Sequence, residues 1–557
     1  MAASHPHSHH RHPLDRLVAL LQLERGDLGV TVVFSVAIGL LTLAVPVATQ
    51  AIVNTVAFGN LVQPLVVLSL VVLAVLGFSA VLQTMRFYVV ELLQRRVFVR
   101  ISSDSANRLL RARADELELH HGPEIVNRFL EVVTLQKAGA TLLVEGLSVV
   151  MQTIAGAVLL AVYHPWLLAF DLLLLAAIVV IVFPLGRGAV QTAVEESRAK
   201  YDFVAWLEEI ARHPTVFRGR DAMRYALQRT NTHVDDYLLH RRLHFKILVR
   251  QVAGSWVLYA LASAALLGVG GWLVVLRQLT LGQLIAAELV VALVVSGFSK
   301  LGKHLEIYYD LLAAMDKLGY LTDLPLEESG TEKPQIDEAP ARLEVNAVGW
   351  SGVLQGAALV LEPGERMALC GVSGSGKSTL FDIICRYREP GSGAVRINGQ
   401  DTRMARLEDL REHVAMVRGV EIFQGTIMEN VRMGREVCDS VRVREALESA
   451  GLLQELESLP AGLGTPLATG GRPLSGGQAV RLMLARAFAG RPRLLLIDES
   501  LDWLDDAVGR DQALQTVFDP NAPWTLLVAT NRPEIWARCD RVMRVSGGAL
   551  MEEGTGR

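Results

Sequence analysis

Six long apolar stretches constrain this chain more than any other feature. They run near 29–53, 63–85, 141–163, 166–186, 252–276 and 281–299. A helix of about 20 mostly apolar residues spans the hydrocarbon core of a bilayer. Any one stretch could be a buried helix of a soluble protein, but six of this length predict an all-α membrane domain with six spanning helices.

The charges between these stretches predict the orientation of the chain. Nine lysines and arginines lie between Arg86 and Lys137, and twelve lie between Arg187 and Arg250. The loops on the opposite side carry only Arg277. Because basic loops stay on the cytoplasmic side, both long loops and both termini are expected on the cytoplasmic side of a bacterial inner or plasma membrane. Apolar and basic residues mix at helical spacing in these loops, which predicts helices that continue beyond the bilayer.

The segment 325–340 is polar, acidic and contains prolines, which is typical of an interdomain linker. Beyond it, short β-type runs alternate with glycine turns and helical stretches, a pattern that predicts an α/β domain. We therefore expect a multi-domain membrane protein. Its predicted parts are a tail with an amphipathic helix (1–27), a six-helix membrane domain (28–324), the linker (325–340) and an α/β domain (341–557).

Composition excludes three classes of protein. The chain has 557 residues, 51% of them hydrophobic, which is too apolar for a disordered protein. Its formal net charge of −4 gives no overall attraction to nucleic acid, so no nucleic-acid partner is expected. The four cysteines are too few for a disulfide scaffold and fit a reducing compartment.

The N-terminal residues combine a histidine-rich tail with an apolar helical face. Leu14, Leu17, Val18 and Leu21 recur at helical spacing, which predicts an amphipathic helix on the membrane surface. The tail is either a metal-binding segment or a solvated, disordered one. No cysteine or carboxylate nearby completes a metal cage, which favours the second interpretation. The histidines are His5, His7, His9, His10 and His12.

The segment from Gly371 to Thr379 satisfies the phosphate-loop pattern G-x-x-x-x-G-K-S. It lies between two apolar runs, 366–370 and 380–385, which gives the strand–loop–helix context that the pattern needs. The loop N–H groups and the positive end of the helix would surround the phosphates of ATP. Lys377 would reach the β and γ phosphates, and Ser378 would hold Mg²⁺. The expected binding residues are Gly371, Ser373, Gly374, Ser375, Gly376, Lys377, Ser378 and Thr379.

Two acids follow the apolar run 494–497. Asp498 is expected to organise Mg²⁺, and Glu499 is expected to orient or deprotonate the water that attacks the γ-phosphate. A strand that ends in two acids is a weak pattern by itself. Its meaning depends on the segment that precedes it by about twenty residues.

That segment is Leu474-Ser475-Gly476-Gly477-Gln478, and it resembles the signature motif of ATP-binding cassette (ABC) proteins. Over nearly its whole length the chain is similar to one half of an ABC exporter. The resemblance implies that 341–557 is a phosphate-loop nucleotide-binding domain. It also implies that two halves pair head to tail, with each ATP between the phosphate loop of one subunit and the signature of the other. Ser475 and the glycine N–H groups would cradle the γ-phosphate.

Two more positions follow from the resemblance. Asp505 matches a loop that contacts the opposite subunit and its nucleotide. Trp350 lies near the aromatic residue that stacks on adenine in the family, but alignment with the family pattern puts Gly352 at that position. Whether Trp350 stacks on adenine or not is therefore left open. The segment 422–430 matches the one that follows the family's Q-loop.

Three positions depart from the family pattern. Arg418 replaces the Q-loop glutamine, Asn531 replaces the switch histidine, and Thr469 stands where exporters often have a glutamate. Arginine has no acceptor for Mg²⁺ or water, so we expect Arg418 to contact the γ-phosphate or to neutralise Glu499. Asn531 can donate a hydrogen bond to the γ-phosphate but cannot take up a proton. ATP binding should persist while hydrolysis slows, unless Glu499 alone does most of the work.

Three features of the membrane domain bear on transport. Turns near 121–125 and 208–214 lie midway along the basic loops, where nucleotide state would be transmitted to the spans. Glu288 lies inside the sixth span, where a carboxylate is costly unless it faces a cavity or partner, so it is a candidate substrate-path residue or a helix–helix contact. The otherwise apolar spans favour hydrophobic, lipid-like or peptide-like substrates.

The sequence thus predicts ATP-driven export or flipping of an amphipathic substrate by a dimer of half-transporters that bind ATP and Mg²⁺. The partner half is expected to be a second copy, with a heterodimer left open. The alternative is a non-transporting ABC membrane protein in which ATP binding regulates a channel or partner. Arg418 and Asn531 keep that alternative open.

Overall fold

The computed structural model describes residues 12–58, 62–119, 122–504 and 509–553. The chain separates into a helical unit, residues 1–112 with 118–324, and an α/β unit, residues 325–557. The short segment Arg113–Leu117 groups with the α/β unit. A helical membrane domain followed by an α/β domain is the fold class that the sequence predicts, and it is confirmed.

The described part of the helical unit contains no β-strand. The helices up to Thr322 are α1 (Pro13–Leu23), α2 (Arg25–Thr42), α3 (Ala44–Phe58), α4 (Val62–Arg111), α5 (Ala114–Leu119), α6 (Gly122–Asn127), α7 (Glu131–Thr141), α8 (Leu147–Tyr163), α9 (Pro165–Val182), α10 (Ala189–Arg212), α11 (Arg220–Val275), α12 (Leu281–Ser299) and α13 (Leu301–Thr322). Of these, α5 lies mostly in the segment Arg113–Leu117, which groups with the α/β unit.

By length and composition, five helical segments among the described residues can cross a membrane. Four of the predicted spans, 29–53, 63–85, 141–163 and 252–276, fall in these segments to within one residue. The span predicted at 166–186 is shorter in the structure, because its helix ends at Val182, before Pro184. The span predicted at 281–299 falls in α12, whose described apolar stretch Leu281–Val294 is shorter. Helices α4 and α11 have 50 and 56 residues, or about 75 and 84 Å of helix. Both exceed the thickness of a bilayer, which confirms the prediction that spanning helices continue beyond it.

Helix α1 forms at the predicted place and packs on its own unit. Arg16 is buried and its Nη2 lies 2.6 Å from the carboxylate of Asp323, after α13. Leu17 packs against the apolar cluster between α4, α7 and α13. Leu14 and Val18 remain exposed, so the helix keeps an apolar outer surface. Of the N-terminal histidines, only His12 is among the described residues, and it caps α1.

The α/β unit contains two β-sheets and a short strand pair. Its strands are β1 (Leu343–Trp350), β2 (Leu354–Leu361), β3 (Arg366–Cys370), β4 (Ser392–Ile397), β5 (Gln400–Asp401), β6 (Val414–Arg418), β7 (Gly425–Thr426), β8 (Pro466–Leu467), β9 (Leu494–Asp498), β10 (Thr525–Ala529), β11 (Arg541–Ser546) and β12 (Ala549–Glu553). Its helices are α14 (Lys377–Ile384), α15 (Leu407–His413), α16 (Ile427–Arg432), α17 (Ser440–Ser449), α18 (Leu453–Glu457), α19 (Gly476–Gly490), α20 (Arg510–Val517) and α21 (Pro533–Trp536).

The larger sheet has the strand order β12-β11-β3-β10-β9-β6. Strands β11, β3, β10, β9 and β6 are parallel, and only β12 runs antiparallel to its neighbour. All five residues of β9 and of β10 are buried, as expected for central strands covered on both faces. The carboxyl ends of the parallel strands meet at one edge, which is where ligands bind in such sheets.

The predicted linker is attached to the α/β unit. The carboxylate of Glu327 accepts two hydrogen bonds from Arg411, at 2.7 and 2.8 Å. Glu332 forms a parallel β-bridge with Ala405. The chain beyond Leu324 is therefore held to this unit well before β1 begins.

The helical path breaks between α9 and α10. Pro184 lies in the break, and Gly188 has φ +81°, a conformation that favours glycine. Gln251 of α11 is fully buried, and its Nε2 lies 3.3 Å from the carbonyl oxygen of Ile181 and 2.9 Å from the hydroxyl of Tyr309. One side chain therefore satisfies polar groups that the break would otherwise leave buried.

We predict that Gln251→Leu destabilises the protein by about 1–3 kcal/mol, because it leaves a carbonyl and a hydroxyl buried without a partner. The measurement is the thermal unfolding midpoint of the purified protein in detergent. Gln228→Leu is the matched control, since Gln228 is exposed on the same helix. Equal midpoints for the two variants would show that the break does not depend on Gln251.

Candidate nucleotide-binding site

The phosphate loop forms between β3 and α14, as the sequence predicts. Gly374 and Gly376 have φ +79° and +106°, conformations that residues with a Cβ adopt at a cost. The side chain of Leu354 lies only 2.8 Å from the place where a Cβ on Gly376 would stand. These two glycines thus let the chain turn tightly into the first turn of α14, where N–H groups are free to bind phosphate.

Lys377 begins α14 and is folded over the loop. Its Nζ donates a 2.8 Å hydrogen bond to the carbonyl of Gly371 and lies 3.2 Å from Oε1 of Glu499. The lysine side chain is only 3% exposed, whereas that of Glu499 is 48% exposed. The predicted phosphate-binding cation and the predicted base are therefore in direct contact.

Asp498 ends strand β9 at the same sheet edge, and Glu499 follows it. Asp498 is buried, and Glu499 has φ +54°, an uncommon conformation for a residue with a side chain. The Glu499 N–H donates a 2.9 Å hydrogen bond to the carbonyl of Ala529, at the end of β10. This bond helps to hold the strained residue in place, as is common at functional sites.

Arg418 ends β6 and is paired with Asp498 in the sheet register. Its Nε donates to Oδ2 of Asp498 at 2.7 Å, and one Nη donates to Oδ1 of Asp382 at 2.6 Å. The other Nη donates to the carbonyl of Ser378 at 2.9 Å. The structure thus differs from the expectation that Arg418 neutralises Glu499, because Glu499 is paired with Lys377 instead.

Asn531 follows β10 and contacts the phosphate loop. Its Oδ1 accepts a 3.1 Å hydrogen bond from the N–H of Gly371, so the amide oxygen supports the loop. The neighbouring Thr530 donates a 2.5 Å hydrogen bond to Asp502. Burial raises the pKa of the Asp502 carboxyl, although this hydrogen bond acts in the opposite direction. Asp505 lies outside the described residues, so its predicted role stays a prediction.

The signature segment caps helix α19. The Ser475 side chain accepts from the N–H of Gln478 at 3.3 Å, and the Gln478 side chain accepts from the N–H of Ser475 at 2.9 Å. This reciprocal capping box leaves Gly476 and Gly477 in the first turn. Gln478 and the buried Arg481 both donate to the carboxylate of Glu455 on α18. Burial opposes the charge of Glu455, but the bonds from Arg481 and Gln478 outweigh it and lower its pKa.

Trp350 lies at the end of β1, and the guanidinium carbon of Arg388 is 5.1 Å from its ring centroid. The tryptophan is half-buried against the core between β1, β3 and α14. Arg388 also binds Asp382 at 2.9 Å. Stacking of adenine on Trp350 stays a prediction, and it would have to accommodate the arginine that is already in cation–π contact with the ring.

The donor set fits Mg²⁺ held together with nucleotide phosphates. Oδ1 of Asp498 is buried and has no hydrogen-bond partner, and the Ser378 side chain is exposed at the start of α14. No cluster of three or more metal-binding side chains occurs in the described part of the chain. Mg²⁺ commonly binds through one or two protein ligands plus phosphate oxygens, and when bound it neutralises charge that develops on the phosphates.

Sequence reasoning missed the partners of Arg418. Asp382 lies four residues after Ser378, one helical turn along α14, so helical spacing alone places both near the same face. That signal was available, but pairing with Arg418 depends on the neighbouring strands. The contact between Arg481 and Glu455 was missed for the same reason, since α18 and α19 are separated in sequence.

Glu288, the candidate substrate-path residue, is exposed on α12. Its neighbours Ala286, Ala287 and Val290 are buried. Glu288 therefore does not face the core of its own chain, and its role stays a prediction.

Comparison with known proteins matches both units. The transmembrane region of ABC transporters matches residues 28–297, and the ABC transporter family matches residues 354–502. A bacterial Atm1-family ABC exporter with ATP bound has the same fold, with a TM-score of 0.80 and 21% identity over 96% of this chain and 95% of that one.

Curated relatives are similar over part of their length. The ATP-dependent lipid A-core flippase of Burkholderia pseudomallei is 33% identical over 50% of this chain and 48% of its own length. The multidrug efflux ATP-binding/permease protein Rv0194 of Mycobacterium tuberculosis is 32% identical over 53% of this chain and 25% of its own. The mycobactin import ATP-binding/permease protein IrtB of Mycolicibacterium thermoresistibile is 30% identical over 56% and 55%. The matched region thus spans about half the length of these relatives, or less.

The phosphate loop, the acids Asp498 and Glu499 and the signature at the start of α19 lie within one α/β unit. The same chain carries a unit of membrane-length helices, and the family descriptions match both parts in this order. The chain belongs to the ABC transporter family, as a transmembrane region fused to an ATP-binding cassette.

Proposed function

We propose that this protein is an ATP-driven exporter or flippase for hydrophobic or amphipathic molecules. The observation that carries the proposal is the assembly of Lys377, Asp498 and Glu499 at one sheet edge, in a chain that also has membrane-length helices. Phosphate binding, Mg²⁺ organisation and water activation are then available at one place. The proposed location is a bacterial inner membrane, with the α/β unit in the cytoplasm.

The helical unit favours a lipid-like substrate. Two of its cavities, of about 260 and 280 Å³, are lined almost entirely by apolar side chains. Such surfaces suit acyl chains or apolar peptide side chains better than sugars or ions. Two of the relatives are named for lipid A-core flipping and multidrug efflux. One is named for import, so the outward direction is part of this proposal.

The two phosphate-binding segments, the signature and the phosphate loop, support the proposal of a dimer. The signature cluster of Ser475 and Gln478 is bonded to Glu455 on α18, while the phosphate loop is bonded to Asn531 and Glu499. A single chain carries one of each. A second copy would supply the signature to the nucleotide on the first, so we propose a homodimer, with a heterodimer as the other outcome.

The structure also favours slow hydrolysis. Arg418 occupies one oxygen of Asp498, and Asn531 cannot carry a proton or a charge. Both defects concern charge that develops in the transition state, so they should lower kcat more than they raise KM. If hydrolysis is too slow to drive transport, the second candidate is a protein in which ATP binding regulates a channel or partner.

We predict that Lys377→Ala removes nucleotide binding, because it deletes the cation that lies over the phosphate loop and is expected to reach the phosphates. Glu499→Gln should bind ATP as the parent does but hydrolyse it about 100-fold or more slowly. Equilibrium binding of a fluorescent ATP analogue and phosphate release give the two measurements. Hydrolysis by Glu499→Gln at the parent rate would reject the assignment of the base.

We predict that cysteines placed by Ser375→Cys and Gly476→Cys join two chains when ATP is present. Each would lie on one side of the same nucleotide in a head-to-tail dimer. The parent protein is the control, because its native cysteines are buried or half-buried. A purified protein that hydrolyses ATP as a strict monomer would contradict the dimer.

We predict that proteoliposomes containing the protein move a fluorescent phospholipid between leaflets with ATP and not with a non-hydrolysable analogue. Arg418→Gln combined with Asn531→His should raise ATP turnover and lipid movement with little change in ATP affinity. A single lost contact of this kind costs about 100- to 1000-fold in other sites.

Glu499→Gln is the control for these vesicles, because it keeps the nucleotide but not the base. ATP hydrolysis without movement of lipid or hydrophobic peptide would favour the regulatory alternative. Equal or lower turnover in the double variant would mean that the site depends on Arg418 for catalysis, and the account of a weakened ATPase would be abandoned.

A further inference from the structure

Arg418 joins strand β9 to helix α14 through its guanidinium. Its guanidinium reaches two carboxylates, Asp382 and Asp498, and the carbonyl of Ser378 at distances of 2.6 to 2.9 Å. The three groups belong to β9 and to the first turns of α14. Arg418 therefore ties the Mg²⁺-organising acid to the helix that carries the phosphate loop.

Both carboxylates are removed from water. The side chain of Asp498 is 3% exposed and that of Asp382 is 9% exposed. Two buried carboxylates repel each other and require a cation. A glutamine at position 418 would leave Arg388 as the cation on Asp382 and would leave Asp498 without one, so that Mg²⁺ would have to supply the missing charge.

We propose that Arg418 is a built-in cation that takes over part of the role of Mg²⁺ in nucleotide binding. It keeps Asp498 and the start of α14 in the binding arrangement before any metal arrives. ATP and ADP then bind with an affinity that depends little on divalent cations, although hydrolysis still uses them. This inference rests on the proposed function only in that the site binds ATP.

The same contact weakens the metal site. The Nε of Arg418 occupies Oδ2 of Asp498, and only Oδ1 is without a partner. A cation that approaches Asp498 also meets the positive charge of the guanidinium. The protein should therefore bind Mg²⁺ or Mn²⁺ more weakly than the variant Arg418→Gln does. Arg418→Gln should therefore lower nucleotide affinity only when divalent cations are absent, while it raises the affinity for the metal itself.

The test measures the affinity for trinitrophenyl-ATP in excess Mg²⁺ and in EDTA on the purified full-length protein. For the parent, the two dissociation constants should agree within about threefold. For Arg418→Gln, removal of Mg²⁺ should weaken binding by about tenfold or more, because Asp498 loses its charge partner. Mn²⁺ binding followed by electron paramagnetic resonance should be tighter in Arg418→Gln than in the parent.

Arg388→Gln is the matched control, because it also removes one positive charge from Asp382 but leaves the bond to Asp498. It should keep the weak Mg²⁺ dependence of the parent. Arg418→Lys keeps the positive charge and serves as the second variant if Arg418→Gln does not fold. Its nucleotide affinity should depend on Mg²⁺ more than that of the parent and of Arg388→Gln, but less than that of a variant without the charge.

Several outcomes would overturn the inference. They are strong Mg²⁺ dependence in the parent, equal dependence in Arg418→Gln and Arg388→Gln, or unchanged Mn²⁺ affinity. Failure of lipid movement in vesicles would affect only the proposed function, because these measurements need no transport. Absence of nucleotide binding in every condition would reject both.

Discussion

The parallel pairing of β3, β10, β9 and β6 is the constraint on which the rest of the site depends. Register places Arg418 beside Asp498, and Asp498 beside Ala529. Arg418, Asp498 and the phosphate loop that follows β3 therefore lie at the same end of the sheet, although they are far apart in sequence. A shift by one residue would exchange the side chains that pack on the two covered faces of these strands, so close packing on both faces favours this register.

The sequence was sufficient wherever local pattern decides the structure. The phosphate loop with Gly374 and Gly376 forms between a strand and a helix, as the sequence predicts. The sequence was insufficient for Arg418. Replacement of the glutamine shows that a hydrogen-bond acceptor is lost, but it does not show which carboxylates pair with the arginine. The bond to Asp382 joins residues 36 positions apart, and only the order of strands brings them together.

The helical unit shows the same division. The length of the apolar stretches located five of the predicted spans, since a stretch of about 20 apolar residues is long enough to cross a bilayer as a helix. The break after Val182 carries Pro184, but its repair by Gln251 comes from a helix about 70 residues later. The span predicted at 166–186 ran through Pro184, so apolar length alone did not locate this helix end, and packing between helices decides what satisfies the exposed backbone.

The contact between Lys377 and Glu499 introduces an order of events. One ammonium holds both the loop carbonyl of Gly371 and the carboxylate of Glu499 at hydrogen-bonding distance. The phosphate-loop pattern predicts that this ammonium also binds the phosphates, so nucleotide binding would compete with its contact to Glu499. Under the proposed roles, Glu499 would be held by Lys377 in the empty site and freed when the nucleotide binds.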